Sequence, residues 1–190
     1  SDINIVNGFL NFKAKNSWIS KKISSLNSDP RLGVELENSK TIVIDYSSPN
    51  IAKRMHVGHL RSTVIGDALS RILLFKGHNV VGENHIGDWG TPFGMLIEHF
   101  IECDNNNVGE IDLSTFYKEA RYKFDNIDDF ALRSRKRVVK LQSRDPETID
   151  LWQNLVDYSL VHFNSVYQML GVLLDDDNLA GESMFEELLP

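Results

Sequence analysis

Two histidines three residues apart, His56 and His59, with Gly58 between them, are where this sequence first offers chemistry. A neutral imidazole donates a hydrogen bond through one ring nitrogen and accepts through the other, so a pair can meet phosphate oxygens as charge develops. The β-branched run Ile42-Val43-Ile44 precedes them, and a long amphipathic pattern ending near Gly77 comes after. That order reads as strand, polar loop, helix. It puts both histidines at a helix mouth, where free N–H groups and the positive dipole end favour anions. Gly58 removes a side chain where a flat ligand can lie on the backbone, and a helical continuation turns His56 and His59 to one side. Two polar residues at an ordinary helix start are the bland alternative. The strand–loop–helix setting favours a nucleotide phosphate site over it.

The loop before the histidines carries a second set of groups. Ser48 and Asn50 can donate and accept hydrogen bonds, Asp45 supplies a carboxylate and Lys53 a mobile cation. Together they suit a ligand with both an ammonium and a carboxylate, such as an amino acid, without saying which. Arg54 adds positive charge beside the phosphate site. A metal held by His56, His59 and His85 is conceivable at one sheet edge, but no thiol or carboxylate sits in tight spacing with them. No metal ligand is therefore assigned, and His85, with Gly87 and Asp88, is expected to line the pocket wall.

These residues need elements to position them. Ile3-Asn4-Ile5-Val6 and Phe9-Leu10-Asn11-Phe12 read as strands lacking partners to cover them, succeeded by a helix near 17–26 and a turn at Ser28-Asp29-Pro30. A first core strand is expected at 41–46 and a helix at 58–76. That helix carries Leu60, Val64, Ala68, Ile72 and Phe75 at helical spacing and has Gly77 as its stop. Val80-Val81 begins a second strand, and Gly87-Asp88-Trp89-Gly90 a turn. Thr91 and Pro92 then serve as N-cap and first residue of a helix that buries Phe93, Leu96, Ile97, Phe100 and Ile101.

Asp104-Asn105-Asn106-Asn107 reads as a polar loop before three helical patterns without a strand signal. One carries Leu113, Phe116, Tyr117, Ala120 and Phe124. The last has Ile149, Trp152, Val156, Phe163, Tyr167 and Leu170 on one face, with Asp145-Pro146 at its start and Gly171 at its end. A third strand is expected from the Val172-Leu173-Leu174 run. The units are thus 1–38, a preceding piece and linker; 39–103, the first half of a parallel α/β sheet; 104–171, a helical insertion; and 172–190, the start of the third strand and the segment after it.

Composition limits the classes. The 190 residues carry a net charge of −7 with 42% hydrophobic and 25% charged residues, ordinary for a globular chain and wrong for a generic nucleic-acid coat. No apolar stretch is long enough to span a membrane, no secretory signal opens the chain, and the single Cys103 suits a reducing cytosol. Only about three parallel strands can be counted where a doubly wound fold needs about five. The chain therefore reads as cut at both ends, with half a sheet missing.

The block Asp45-Tyr46-Ser47-Ser48-Pro49-Asn50-Ile51-Ala52-Lys53, followed by His56-Val57-Gly58-His59-Leu60-Arg61-Ser62-Thr63, resembles the signature region of arginyl-tRNA synthetases, which are class I aminoacyl-tRNA synthetases. The likeness continues through Gly66-Asp67, Asn84-His85-Ile86-Gly87-Asp88-Trp89-Gly90-Thr91, Phe93-Gly94-Met95-Leu96, Val139-Lys140-Leu141-Gln142-Ser143 and Gly181-Glu182-Ser183. Two positions depart from the family pattern: Arg54 stands where an acidic residue or proline is common, and Pro92 where glutamine is common. The resemblance implies an α/β fold, the first half of a class I synthetase Rossmann-like parallel sheet with a helical insertion, and makes 1–38 the tail of an N-terminal tRNA-binding domain.

It also implies a cytoplasmic, monomeric ligase that joins L-arginine to tRNA(Arg) through an arginyl-adenylate. ATP is a substrate accompanied by Mg²⁺, and no cofactor is permanently bound. His56, His59 and Lys53 would be catalytic, and these with Gly58 would bind ATP. Asp45, Ser48, Asn50 and Lys53 would bind the amino acid.

Two rivals are kept: a nucleotidylyltransferase using the same His-x-Gly-His junction, and a non-catalytic half-domain. The basic cluster Arg133, Arg135, Lys136, Arg137 and Lys140 reads equally as a tRNA contact or as a solvated helix face paired with Asp128 and Asp129. Asp175-Asp176-Asp177 reads as a polar strand end rather than a Mg²⁺ site, and Cys103 as core.

Overall fold

The computed structural model describes residues 2–103 and 112–188; the expected polar loop at Asp104-Asn105-Asn106-Asn107 lies outside them. The chain opens with an antiparallel hairpin, β1 (Asp2–Val6) and β2 (Phe9–Lys13). Asn7 and Gly8 turn it, both at positive φ (51° and 81°), as a tight two-residue hairpin loop requires. The two expected strands thus pair with each other. Register places Ile3 opposite Phe12 and Ile5 opposite Leu10, and this apolar face stays exposed among the described residues. Helix α1 (Asn16–Asn27) buries no residue.

The connecting segment is pinned to the α/β part of the chain. Asp29 accepts the N–H groups of Arg31 and Gly33, 2.9 and 2.7 Å away. The Glu37 N–H bonds the Lys76 carbonyl at 2.9 Å, and the Glu37 carboxylate pairs with Lys76 and with buried His78.

The α/β part is a three-stranded parallel sheet in the order β3 (Thr41–Asp45), β4 (Asn79–Ile86), β5 (Leu179–Gly181). Helix α2 (Val57–Phe75) crosses over from β3 to β4. The third strand is short and starts at Leu179. The Val172-Leu173-Leu174 run expected to form it is not a strand: it comes directly after the Gly171 cap, and the Leu173 N–H is taken by the Asp67 carboxylate at 2.7 Å.

Helix α2 also turns an unexpected side to the sheet. Its buried residues are Thr63, Gly66, Asp67 and Ser70, while Val64, Ile72 and Phe75 of the apolar stripe are exposed. Gly66 decides this, because a Cβ there would run into the Tyr46 ring. The side that can approach the sheet must be small, and its polar groups are satisfied locally. Ser70 donates to the Gly66 carbonyl at 2.9 Å, and Asp67 binds Arg71 at 2.7 Å.

Between β4 and β5 the described residues form four α-helices, α3 (Pro92–Glu102), α4 (Leu113–Asn126), α5 (Asp128–Gln142) and α6 (Pro146–Leu170). Pro92 opens α3 and Thr91 holds the N-cap position, but the Thr91 side chain makes no capping bond because its backbone is already helical. Helix α3 is the pillar of the core, with Phe93 through Phe100 buried. At Gly94 it approaches α5 so closely that a Cβ would strike the Ser134 carbonyl. Asp145 caps α6 by accepting the Thr148 N–H, and left-handed Gly171 ends it. Phe163, Leu155 and Tyr167 of α6 join Tyr46, Ile51 and Ile86 in one core, which sits against the C-terminal end of the sheet.

Candidate active site

Beyond β3 the chain does not simply leave the sheet. Tyr46 continues the pairing by donating its N–H to the Glu83 carbonyl at 3.0 Å. Ser47 and Ser48 then take positive φ (78° and 50°), unusual for residues with a side chain, and turn the loop along the end of β4. Gly87 N–H bonds the Pro49 carbonyl at 3.0 Å and Ile51 N–H bonds the Gly87 carbonyl at 3.1 Å, so Asn50 and Gly87 face each other. A side chain at position 87 would collide with the Asn50 amide oxygen. Ala52, also at positive φ, is fixed by its N–H to Ser159 Oγ of α6 at 2.9 Å.

The loop delivers His56 to the N-cap of α2, where the two histidines close a reciprocal cap. His56 Nδ1 accepts the Gly58 N–H at 3.1 Å, and His59 Nδ1 accepts the His56 N–H at 3.2 Å. The rings lie against each other, with centroids 3.9 Å apart and planes tilted by 33°. An Nδ1 that accepts carries no proton, so each neutral ring must hold its hydrogen on Nε2. The backbone thereby sets the tautomer, and both Nε2–H groups remain as donors. Burial, reinforced by His56 and Lys53 nearby, holds the His59 pKa below its ordinary value.

Around this mouth, Asp45 accepts from Ser48 Oγ at 3.2 Å and pairs with His85 Nδ1 at 3.3 Å. Asn50 is exposed, and Lys53 extends its ammonium over the Tyr117 ring of α4, 4.4 Å from the centroid. The fold therefore brings Asp45, Ser48, Asn50, His85 and Gly87 to one edge at the C-terminal ends of β3 and β4. In open parallel sheets, that is where ligands bind.

Two expected roles change. Asp88 is 3% exposed and lines no wall; its carboxylate takes the Ser183 N–H and hydroxyl at 2.9 and 2.7 Å, tying down the segment after β5. Arg54 is drawn away from the phosphate position by Asp112 at the start of α4, 2.9 Å away. His56 and His59 spend Nδ1 on the backbone, and His85 turns to Asp45. Among the described residues, no group of three or more His, Cys, Asp or Glu could hold a metal ion.

The basic cluster on α5 divides. Arg133 and Arg137 turn inward to Glu98, at 2.9 and 2.7 Å, whereas Arg135, Lys136 and Lys140 are exposed.

Reading by residue type misses a buried polar set behind the loop. Ser47 Oγ meets Tyr167 Oη at 2.7 Å, Asn84 bonds both Ser48 N–H and Tyr167 Oη, and Thr63 Oγ1 lies 2.9 Å from Ser47 Oγ. No local signal marks this set, because Asn84 stands between polar Glu83 and His85 in β4 and only its burial sets it apart.

Comparison with known proteins gives this geometry its family. Residues 22–190 match the family described as tRNA synthetases class I (R), catalytic domain. The arginine–tRNA ligase of Thermobifida fusca is 52% identical over 186 residues, 96% of this chain and 32% of that protein. That of Pseudoalteromonas atlantica is 48% identical over 182 residues, again 32% of the relative. The chain thus spans about a third of the length of the curated relatives it matches. Among solved structures, arginyl-tRNA synthetase from Plasmodium falciparum aligns over 97% of this chain and 33% of its own, with a TM-score of 0.67 and 30% identity. The Thermus thermophilus arginyl-tRNA synthetase shares the fold, with a TM-score of 0.59 at 20% identity. With nearly its whole length inside that match, the chain belongs to the class I tRNA synthetases of the R type, and residues 22–190 match their catalytic domain.

Proposed function

We propose that this chain supplies the ATP- and arginine-facing part of an arginine–tRNA ligase, which joins L-arginine to tRNA(Arg) through an arginyl-adenylate. The reciprocal His56–His59 cap beside an amino-acid-sized set of polar groups is the observation that carries this reading. The arginine carboxylate attacks the α-phosphorus of ATP in line and pyrophosphate leaves. A ribose hydroxyl of the terminal tRNA adenosine then attacks the arginyl carbonyl, losing its proton, and AMP leaves as the ester forms. No enzyme nucleophile is required, so catalysis is positioning and charge stabilisation.

In that scheme the two Nε2–H donors meet the phosphate oxygens where charge builds, and Gly58 lets adenine lie on the helix start. Lys53 leaves the Tyr117 ring to neutralise the pyrophosphate; Mg²⁺ enters with ATP as part of the substrate. Ser48, Asn50 and Asp45 hold the α-amino and carboxylate groups, with Gly87 keeping the space Asn50 occupies and His85 closing the wall through Asp45. Exposed Arg135, Lys136 and Lys140 give a tRNA phosphate three cations to meet. Residues 1–38 serve as the tail of a tRNA-binding unit, 39–103 as the first catalytic half, 104–171 as the insertion and 172–190 as the lead into the next strand. The enzyme is monomeric and works in the cytoplasm. No helix among the described residues is long and apolar enough to cross a membrane.

The test is aminoacylation by the full-length protein with total tRNA and each amino acid in turn. Charging with arginine alone is expected. Consumption of ATP on another acceptor without tRNA charging would replace this reading with nucleotidyl transfer.

A further inference from the structure

We infer that Tyr167, on the last helix of the insertion, is a positioning residue for the loop that presents Ser48 and Asn50, acting through a chain of buried hydrogen bonds. The Ser48 N–H can only donate, so Asn84 turns its amide oxygen to it at 3.0 Å. The Asn84 amide nitrogen then donates to Tyr167 Oη at 3.1 Å. The Tyr167 hydrogen is left for Ser47 Oγ, 2.7 Å away. Ser47 Oγ also accepts from Thr63 Oγ1 at 2.9 Å, and the same Thr63 hydroxyl lies 2.8 Å from the His59 carbonyl.

Together the five contacts tie α2, β4 and α6 to the loop. Tyr167 is 3% exposed, Ser47 3%, and Asn84 and Thr63 0%, so no water competes. Burial also pushes the Tyr167 phenol above its ordinary pKa, keeping it a donor.

The network is placed to do one job. Ser47 and Ser48 hold positive φ, a conformation that costs free energy unless its surroundings impose it. Tyr167 is the only member of the chain contributed by α6; it grips both residues, Ser47 directly and Ser48 through Asn84. Farther along the loop, Ala52 is held separately by Ser159 of the same helix. Losing the Tyr167 hydroxyl strands Ser47 and Asn84 but leaves the Ala52 anchor intact.

The test uses Tyr167→Phe in the full-length protein, read by arginine-dependent pyrophosphate exchange and by amide hydrogen exchange. The inference rests on the arginine–tRNA ligase reading for the first readout only. KM for L-arginine should rise about tenfold, the cost of one buried unmade bond, while KM for ATP stays within twofold. The Ser48 amide should exchange at least fivefold faster while the Ala52 amide is unchanged. Equal exchange at both amides, or KM values for ATP and arginine that rise together, would overturn the positioning role. Should Tyr167→Phe fail to fold, Ser47→Ala, which deletes the acceptor, carries the same measurements. If the wild-type protein charges no arginine, the functional reading falls, and the amide exchange still decides the role of Tyr167.

Discussion

Two buried polar regions of this molecule solve different problems. Behind the loop at 47–52, Asn84, Tyr167, Ser47 and Thr63 form a neutral chain of hydrogen bonds. Between α3 and α5 the groups are charged: Glu98 is gripped by Arg133 and Arg137, and Glu102 by Arg133 and Lys123. Arg137 also donates to Thr148 at 3.0 Å, which joins α6 to the cluster. Opposite charges offset each other's fields, and breaking one partner leaves the other uncompensated, so this region fastens helices. The neutral chain fixes a strained backbone without adding charge of its own. The field a ligand meets at the open edge thus comes from Lys53, Asp45, the imidazoles there and the N-terminus of α2 rather than from this chain of hydrogen bonds.

If that division of labour holds, substitutions in the two regions should fail in different ways. The largest effect is expected at the edge that the neutral chain supports. His59→Ala in the full-length protein should lower arginine-dependent pyrophosphate exchange by two or more orders of magnitude, as losing one oxyanion-type donor costs about 3–4 kcal/mol. Its unfolding free energy should fall by only about 1 kcal/mol, the loss of one half of the α2 cap. A rate within a few-fold of wild type would remove the donor role.

The ionic region should show the reverse. Arg137→Met strips one partner from Glu98 in a pair whose side chains are 12% and 7% exposed. Unfolding free energy should fall by about 3 kcal/mol, the low end for breaking a buried pair because Arg133 still holds the other oxygen. The turnover of the remaining folded enzyme should be unchanged. A loss of turnover without a loss of stability would mean that the cluster does more than fasten helices.

The same contrast explains what could be read from sequence. Helices α3, α4 and α6 were legible because their apolar residues keep one period and their ends carry local signals, such as Asp145 with Pro146 and left-handed Gly171. The strands β3 and β4 and the histidine pair at a helix mouth were legible for the same local reasons. Helix α2 was not, because a period shows that an apolar face exists and not which side a neighbour admits; Gly66 against Tyr46 decided that. The hairpin pairing was available in Asn7-Gly8 but needed the turn to be weighed above the apolar runs. Arg133 and Arg137 looked like surface charge because Glu98 lies 35 and 39 residues away in sequence. Asp88 looked like a wall because Ser183 is 95 residues off. Tyr167 shares its helical face with true core residues, and nothing local marks its hydroxyl as the one that matters.

The smallest expected effect concerns protons at the open edge. The His59 pKa is lowered first by burial and then by the positive fields of His56 and Lys53. Protonation would also have to break the bond that His59 Nδ1 accepts from the His56 backbone. A lowered folded-state value means that the folded protein binds fewer protons than the unfolded chain just below pH 6.5, the ordinary histidine value. The stabilisation from neutral His59 is thus complete above that pH and is lost as pH falls through the folded pKa. Activity should change with the same sign, since only the neutral ring keeps the cap and presents a fixed Nε2–H. Titration of the ring Cε1–H signal by NMR should place His59 below 6.5 in the wild-type protein. Lys53→Met, which removes one of the two positive neighbours, should move it upward without reaching 6.5, because burial is the larger cause. A His59 that titrates at or above 6.5 would mean that the two rings do not hold this cap in solution, and that the backbone does not choose their tautomer.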